Sequence, residues 1–441
     1  MAKSFDEIPV ISFPDDFYSA GRASAFLARQ AIERGPILRW TSQQVGEIVF
    51  LVGPDANRFV MHTNRDRFSH DRGWTPIVGD WLGKGLLNMD PPEHAVHRRM
   101  MNPAFTSAFV ARYLPMMQDV IANRTADWTT RGEVDLLEEA REIAFDIAAA
   151  ALGGLRAGPE VDRLRQLFYT VIHGYNPASE TWEEFQSRYG GAIQDLGRVL
   201  VPLIAARQNG AGREPSDVLG MLVAARDDDG QPLSIEQILA HIKILLVAGH
   251  ETTTTLGAWT LFQLASRPEW KARVLAELIA EAPPVGETIP VDTLRGLKVL
   301  DAFVREVGRL NSPVLMLPRG VIGDFEFGGY QVPAGTQVRL AIGAGHRLPT
   351  VFNDPETFDP DRFSPARDED KKTPYGLVTF GGGPRVCIGM SFAQLEVKAL
   401  VAHVLRVCDL SPRRDRSPVY TGFLIADAPG GVLVEVRRRA T

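Results

Sequence analysis

Apolar and polar positions alternate near the start of the chain. Ile37-Leu38-Arg39-Trp40, a polar turn and Val45-Gly46-Glu47-Ile48-Val49-Phe50 predict a hairpin, and Gly53-Pro54 then opens a short helix over Asp55-Ala56-Asn57-Arg58-Phe59-Val60. From about residue 91 to 266 the apolar positions recur at helical period, with caps and Pro or Gly breaks between segments. After a helix ending near Leu310, strand signals return. Asp324-Phe325-Glu326-Phe327, Gly328-Gly329 and Tyr330-Gln331-Val332 predict a second hairpin, with Val338-Arg339-Leu340 continuing its sheet. The apolar run from Met390 to Val407 predicts a helix, and the last strands are expected over 419–424 and 432–436. The fold class is mainly α with a small β subdomain.

One predicted helix stands out. Ser234 and Gln237 form a capping-box pair, and helical residues run from there to Ser266-Arg267-Pro268. At 1.5 Å per residue this is roughly 45–50 Å, enough to cross the molecule. Glu236, Lys243, His250 and Glu251 interrupt its apolar surface, so it does not span a membrane. Its middle, Ala248-Gly249-His250-Glu251-Thr252-Thr253-Thr254-Thr255, is its poorest helix-forming stretch, with Gly costing roughly 1 kcal/mol against Ala and each Thr roughly 0.5. Broken local rules in mid-helix mark a functional site. The Thr252 hydroxyl is placed to bond the Ala248 carbonyl and open the helix locally, and Gly249 leaves room for something small.

Composition narrows the class. With 45% apolar and 23% charged residues, the 441-residue chain can bury a large core, and a net charge of −6 argues against nucleic acid as a partner. No linker or repeat divides it, so residues 1–441 are expected to form one large domain, with 1–35 as an N-terminal lead-in. The charge run over 367–372 is expected to be a solvated loop. Two cysteines, Cys387 and Cys408, cannot build a zinc or iron–sulfur site unaided. The N-terminus carries no apolar segment for export or anchoring, which predicts a soluble cytoplasmic protein without a membrane anchor.

Cys387 sits in Phe380-Gly381-Gly382-Gly383-Pro384-Arg385-Val386-Cys387-Ile388-Gly389. Thiols act as thiolates, favoured by a metal, nearby positive charge or a helix N-terminus. All three are on offer here, since the 390–407 helix follows directly, Arg385 lies two residues upstream and the glycines let a bulky planar partner approach the backbone. The run matches Phe-x-x-Gly-x-Arg-x-Cys-x-Gly at every fixed position, and the chain resembles the cytochrome P450 family of haem-thiolate monooxygenases, in its soluble bacterial form. The segment Ala248, Gly249, Glu251, Thr252 matches the family's Ala-Gly-x-Glu-Thr.

The resemblance implies haem b, iron protoporphyrin IX, with Cys387 as the metal ligand and Phe380 and Gly389 among the cofactor-binding residues. It makes Ala248 and Gly249 part of an O2 pocket. Thr252 and Glu251 are the implied catalytic pair, the alcohol holding a water and dioxygen and the acid relaying protons. His94 and Arg98, four apart on one helix face, match the family's His-x-x-x-Arg, and with Arg319 and Arg385 they are implied propionate ligands. Glu306, Arg309 and Arg362 are assigned to a buried ionic cluster. His250 receives no catalytic role, and Arg99 and His97 are taken as surface residues. The resemblance puts the substrate wall around Trp74 to Leu87, Leu245, Val314 to Leu317 and Gly422-Phe423-Leu424. Tyr169, Tyr175 and Trp182 are placed in a lid-like region or the core.

The implied activity is insertion of one oxygen atom of O2 into a hydrophobic substrate, by hydroxylation or epoxidation. No Gly-x-Gly-x-x-Gly loop or flavin-sized extension is present, so electrons are expected from a separate ferredoxin or flavodoxin with its reductase. The donor would dock near Arg98, Arg99 and Lys398 on a monomer. Rival readings are a peroxide-driven peroxygenase, a non-catalytic haem sensor or carrier, and a cysteine hydrolase using Cys387.

Overall fold

The computed structural model describes residues 2–13, 23–42, 46–78, 80–155, 158–174, 182–210, 217–422 and 425–439. Its longer helices are α1 (Ala23–Arg34), α2 (Asp71–Val78), α3 (Glu93–Met101), α4 (Leu114–Thr125), α5 (Leu136–Gly153), α6 (Pro159–Gly174), α7 (Trp182–Asn209), α8 (Ile235–Ala265), α9 (Pro268–Glu281), α10 (Lys298–Leu310) and α11 (Met390–Val407). The strands are β1 (Ile37–Ser42), β2 (Gly46–Leu51), β3 (Phe68–Ser69), β4 (Glu133–Asp135), β5 (Leu317–Val321), β6 (Phe325–Phe327), β7 (Tyr330–Val332), β8 (Gln337–Leu340), β9 (Cys408–Pro412), β10 (Thr421–Gly422), β11 (Ala426–Asp427) and β12 (Leu433–Arg438).

Helix α8 is the axis of the molecule. The Ser234 hydroxyl accepts the Gln237 N–H and the Gln237 side chain accepts the Ser234 N–H, so the capping box forms as expected. Leu256, Leu261 and Leu264 of α8 pack with Ile143 and Ile147 of α5, Phe303 and Val307 of α10, and Val397, Val401 and Val404 of α11. Its first half packs into a second cluster, where Ile238, Ile242 and Leu246 meet Phe145 of α5, Phe168 of α6 and Leu196 and Ile204 of α7. An apolar surface on nearly every side is why the helix runs through the interior. It remains continuous α-helix through residues 248–255, so the expected local opening is absent although the Thr252 back-bond is present.

The main sheet has the order β1-β2-β8-β5-β3. The hairpin β1–β2 forms as predicted, with Leu38 opposite Phe50. The β6–β7 hairpin also forms, turning at Gly328 and Gly329, both at positive φ. Strand β8 does not continue it. Val338 instead pairs in parallel with Val49 of β2 and antiparallel with Arg319 of β5, because its apolar residues complete the first sheet. Near the C-terminus β9, β12 and β4 form a separate sheet, with Cys408 buried at the junction of α11 and β9. The expected last strand over 419–424 shrinks to β10, and residues 423–424 lie outside the described residues.

The N-terminal lead-in is packed over its described residues: Ile8, Ile11 and Leu27 are buried and Lys3 bridges to Tyr330. The 367–372 charge run is a clamp and not a solvated loop, since Glu369 is buried and accepts from Arg362 at 2.8 Å and from Arg367 at 2.6 Å.

Candidate active site

The Cys387 loop is held by its own backbone. The Cys387 N–H donates to the Phe380 carbonyl at 2.9 Å, and Gly381 and Gly383 adopt φ +73° and +61°. A Cβ on Gly383 would lie 2.3 Å from the Met61 carbonyl oxygen, and one on Gly382 would lie 3.0 Å from the Tyr375 ring. Those two glycines therefore clear protein neighbours, not a planar partner as the sequence had implied. Cys387 is enclosed by protein yet its side chain is exposed, so the sulfur looks into an internal space. Burial raises the thiol's pKa, opposed by the Gly389 N–H and the Arg98 guanidinium. Nearby positive charge alone therefore does not yield a thiolate. A bound metal is what would deprotonate this sulfur.

The opposite wall is α8. Between residues 248 and 261 it is buried except for Ala248 and Gly249, which are exposed, and Thr252, which is partly so. A Cβ on Gly249 would meet nothing within 4 Å. Ile388, next to Cys387, and Val247, next to Ala248, pack against the same apolar cluster. The Thr252 hydroxyl donates to the Ala248 carbonyl at 2.6 Å. Glu251 is buried, with Oε1 3.2 Å from His250 Nδ1 and Oε2 3.9 Å from Arg141 Nε.

Positive charge gathers beside the cysteine loop. Arg319 is buried and donates to the Pro318 carbonyl at 2.7 Å; burial and then Arg385 push its pKa down to about 9. Arg385 donates to the carbonyls of Leu86 at 3.3 Å and Met89 at 2.6 Å, with its pKa lowered by burial to about 10. Burial, then Arg385 and Arg98, bring His94 to about 3. His70, which no sequence signal singled out, has its pKa held well below the usual range by burial and then by Arg319, Arg385 and His94. The facing carboxylate, Asp90, already accepts from Ser69 Oγ at 2.5 Å and the His70 N–H at 2.6 Å. Buried cations that outnumber their carboxylates fit a group bringing two anions, such as the propionates of haem.

The cytochrome P450 family profile matches residues 21–434. The chain belongs to the cytochrome P450 family. A Mycobacterium tuberculosis chain described as cytochrome P450 136 is 32% identical over 385 residues, covering 85% of this chain and 76% of that one. Sterol 14α-demethylase of Mycolicibacterium vanbaalenii is 27% identical over 379 residues, covering 83% and 82%. A cyanobacterial cytochrome P450 solved with retinoic acid bound superposes with a TM-score of 0.83 at 27% identity, covering 98% of this chain and all of that one. The protein is thus a P450-type monooxygenase whose cofactor is iron protoporphyrin IX, taking O2, a hydrophobic substrate and electrons from a redox partner.

Other residues singled out in this P450 have partners within the chain. Arg98 donates to the Val386 carbonyl at 2.8 Å and to Asn102 Oδ1 at 3.0 Å, bracing the cysteine loop from α3. His97 is buried, not on the surface: its Nδ1 lies 2.8 Å from Nε2 of buried His241 on α8. Lys398 is buried against Asp301 at 2.7 Å and is unavailable to a donor protein, whereas Arg99 is exposed beside Asp228. Glu306, Arg309 and Arg362 form the expected cluster, all with side chains at 0% exposure. Of the residues expected along the substrate wall, Leu86, Leu87, Leu245, Val314 and Leu317 are half-buried, while Trp74, Leu315 and Met316 are buried. Tyr169 bonds His250 Nε2 at 3.0 Å; Tyr175 and the side chain of Trp182 lie outside the described residues.

Among the described residues no helix is long and apolar enough to cross a membrane.

Proposed function

We propose that this P450, working as a single domain, hydroxylates or epoxidises an elongated apolar substrate with electrons from a separate ferredoxin or flavodoxin and its reductase. What supports the reading is the combination of an accessible Cys387 enclosed by protein, a bare Ala248–Gly249 patch in a buried helix and a group of buried arginines beside the cysteine loop. Cys387 would hold the iron, and Phe380 and Gly389 the proximal side of the ring. Arg319, Arg385 and His94 would hold the propionates, with Arg98 bracing the loop that carries the sulfur. When bound, haem supplies the centre at which O2 is reduced and one of its atoms passes to substrate.

The chain's own residues move protons. With its hydroxyl hydrogen on the Ala248 carbonyl, Thr252 keeps oxygen lone pairs to accept from a cavity water and fix it beside Gly249. Glu251, one residue earlier, is the acid able to exchange protons with that water once its carboxylate leaves His250 and Arg141. Keeping this acid–alcohol pair favours a reductant-driven monooxygenase over a peroxygenase or a sensor. The relatives' names, a sterol demethylase and a retinoic acid complex, together with the half-buried apolar wall, support a terpenoid-like or steroid-like substrate.

The test is the absorption spectrum of the reduced, carbon monoxide-bound holoenzyme, followed by titration with retinoic acid and sterols. The expected result is the red-shifted Soret band of thiolate ligation, lost in Cys387→Ser. A wild-type band at the position of neutral-ligand haem proteins would overturn the assignment of Cys387.

A further inference from the structure

Away from the cysteine loop, Arg339 of β8 is a guanidinium only 7% exposed that meets no carboxylate among the described residues. Its Nη1 donates to the Val338 carbonyl at 3.0 Å and to Gln337 Oε1 at 3.3 Å, both neutral and both on its own strand. Nε is buried without a partner, and Nη2 makes no hydrogen bond among the described residues. Those two nitrogens form an edge of the guanidinium that can take a carboxylate through two parallel N–H bonds. Burial pulls the pKa of Arg339 down to about 10, which leaves it charged at neutral pH. Lys243 of α8 differs: it donates to the Trp81 carbonyl, and burial brings it to about 8, where an amine can shed its proton.

Sheet register fixes what surrounds this charge. Arg339 sits between Phe50 of β2 and Pro318 of β5, and paired strand residues share a face of the sheet. That face is apolar. Phe50 and Trp40 pack there with Phe13, whose ring centre is 5.8 Å from Phe50 and 5.1 Å from Trp40. Leu315 and Met316, expected along the substrate wall, belong to the same cluster. An aliphatic side chain would suit the position, and a guanidinium there is destabilising unless an anion answers it. We propose that Arg339 is a specificity-determining residue for a substrate that ends in a carboxylate, receiving that group on its Nε–Nη2 edge with the apolar part lying against the aromatic cluster. The inference rests on the monooxygenase reading and narrows its substrate to long amphipathic acids. An alcohol of the same skeleton brings one oxygen and no charge, so it cannot answer both nitrogens.

The experiment compares an acid with its alcohol, retinoic acid with retinol and palmitic acid with hexadecanol, on holoenzymes of wild type, Arg339→Leu, Arg339→Lys and Lys243→Met. Dissociation constants come from the shift of the Soret band and, independently of the haem, from equilibrium dialysis. Wild type is expected to bind at least one acid about tenfold or more tightly than its alcohol. Arg339→Leu should weaken that acid by about 10–100-fold, the loss of a charge-assisted contact, while the alcohol changes by less than about threefold. Arg339→Lys should recover part of the preference and Lys243→Met should keep it. The melting midpoint of Arg339→Leu should not fall, because the change removes an unanswered buried charge. The anchor is overturned if wild type prefers neither acid, if Arg339→Leu weakens acid and alcohol alike, or if Lys243→Met alone removes the preference. A carbon monoxide spectrum without the thiolate band would remove the monooxygenase reading, and dialysis would still decide whether Arg339 selects carboxylates. If Arg339→Leu does not fold, Arg339→Gln, which removes the charge and keeps an amide donor, decides by the same comparison.

Discussion

Glu306→Gln isolates the energetics of the buried ionic cluster. The Glu306 carboxylate accepts Arg309 Nε at 2.7 Å and Nη2 at 2.8 Å, Arg362 Nε at 3.1 Å and the Asp359 N–H at 2.8 Å. An amide of the same shape removes the charge and turns one acceptor oxygen into a donor facing a guanidinium. Arg362 still has Glu369 at 2.8 Å, but Arg309 is left with the carbonyls of His346, Pro355 and Thr357. One buried charge is stranded, which costs about 3–5 kcal/mol. Unfolding entropy for a chain of this length is roughly 0.9 kcal/mol per kelvin, so the melting midpoint should fall by about 3–6 °C. Thermal unfolding followed in parallel by circular dichroism and haem absorbance, at one scan rate, measures this. Glu369→Gln is the internal comparison. It leaves Arg362 with Glu306 and Arg367 with Asp359, so its effect should be smaller. The reasoning is refuted if Glu306→Gln is no more destabilising than Glu369→Gln.

Three further outcomes are expected. Thr252→Ala should keep reductant consumption within a few-fold of wild type but divert about tenfold more of it to peroxide, read as peroxide per NADH; an unchanged ratio removes Thr252 from the relay. Arg385→Leu, which deletes a donor proposed to face a propionate, should speed haem transfer to apomyoglobin by about 10–100-fold, the equivalent of a charge-assisted hydrogen bond, and an unchanged rate would place the propionates elsewhere. His346 is buried, its Nε2 accepts the Val378 N–H at 3.0 Å, and burial followed by Arg309 holds its pKa near about 3 against an ordinary 6.5. The unfolded ring takes up a proton that the folded ring refuses. Its contribution is therefore complete above pH 6.5 and is lost as the pH falls toward 3. His346→Gln should flatten the acid slope of stability by up to about 1.4 kcal/mol per pH unit, measured by denaturant titration across that range.

What a single chain discloses here follows from how local each signal is. The cysteine loop, the α8 cap and the β1–β2 and β6–β7 hairpins are contiguous runs whose chemistry closes within a few residues, and each forms where expected. One of the two partners of β8 is β2, nearly three hundred residues away, and nothing local records that choice. Strand β5 was hidden because Pro318 and Arg319 break a strand pattern, though both are buried in the sheet.

Charge was the systematic source of error. His97, Lys398 and the 367–372 run were placed at the surface because a lone charged residue is assigned to water by default. Their partners, His241, Asp301 and Arg362, come from other elements and appear only once the chain is folded. The same bookkeeping gives the site its clearest signature. In the 306–369 cluster every buried guanidinium meets a carboxylate, whereas around Arg319 and Arg385 Asp90 is outnumbered and already engaged. Among the described residues no further carboxylate is engaged by these two arginines, and that excess is what supports the proposal that an anionic group from outside binds at this edge.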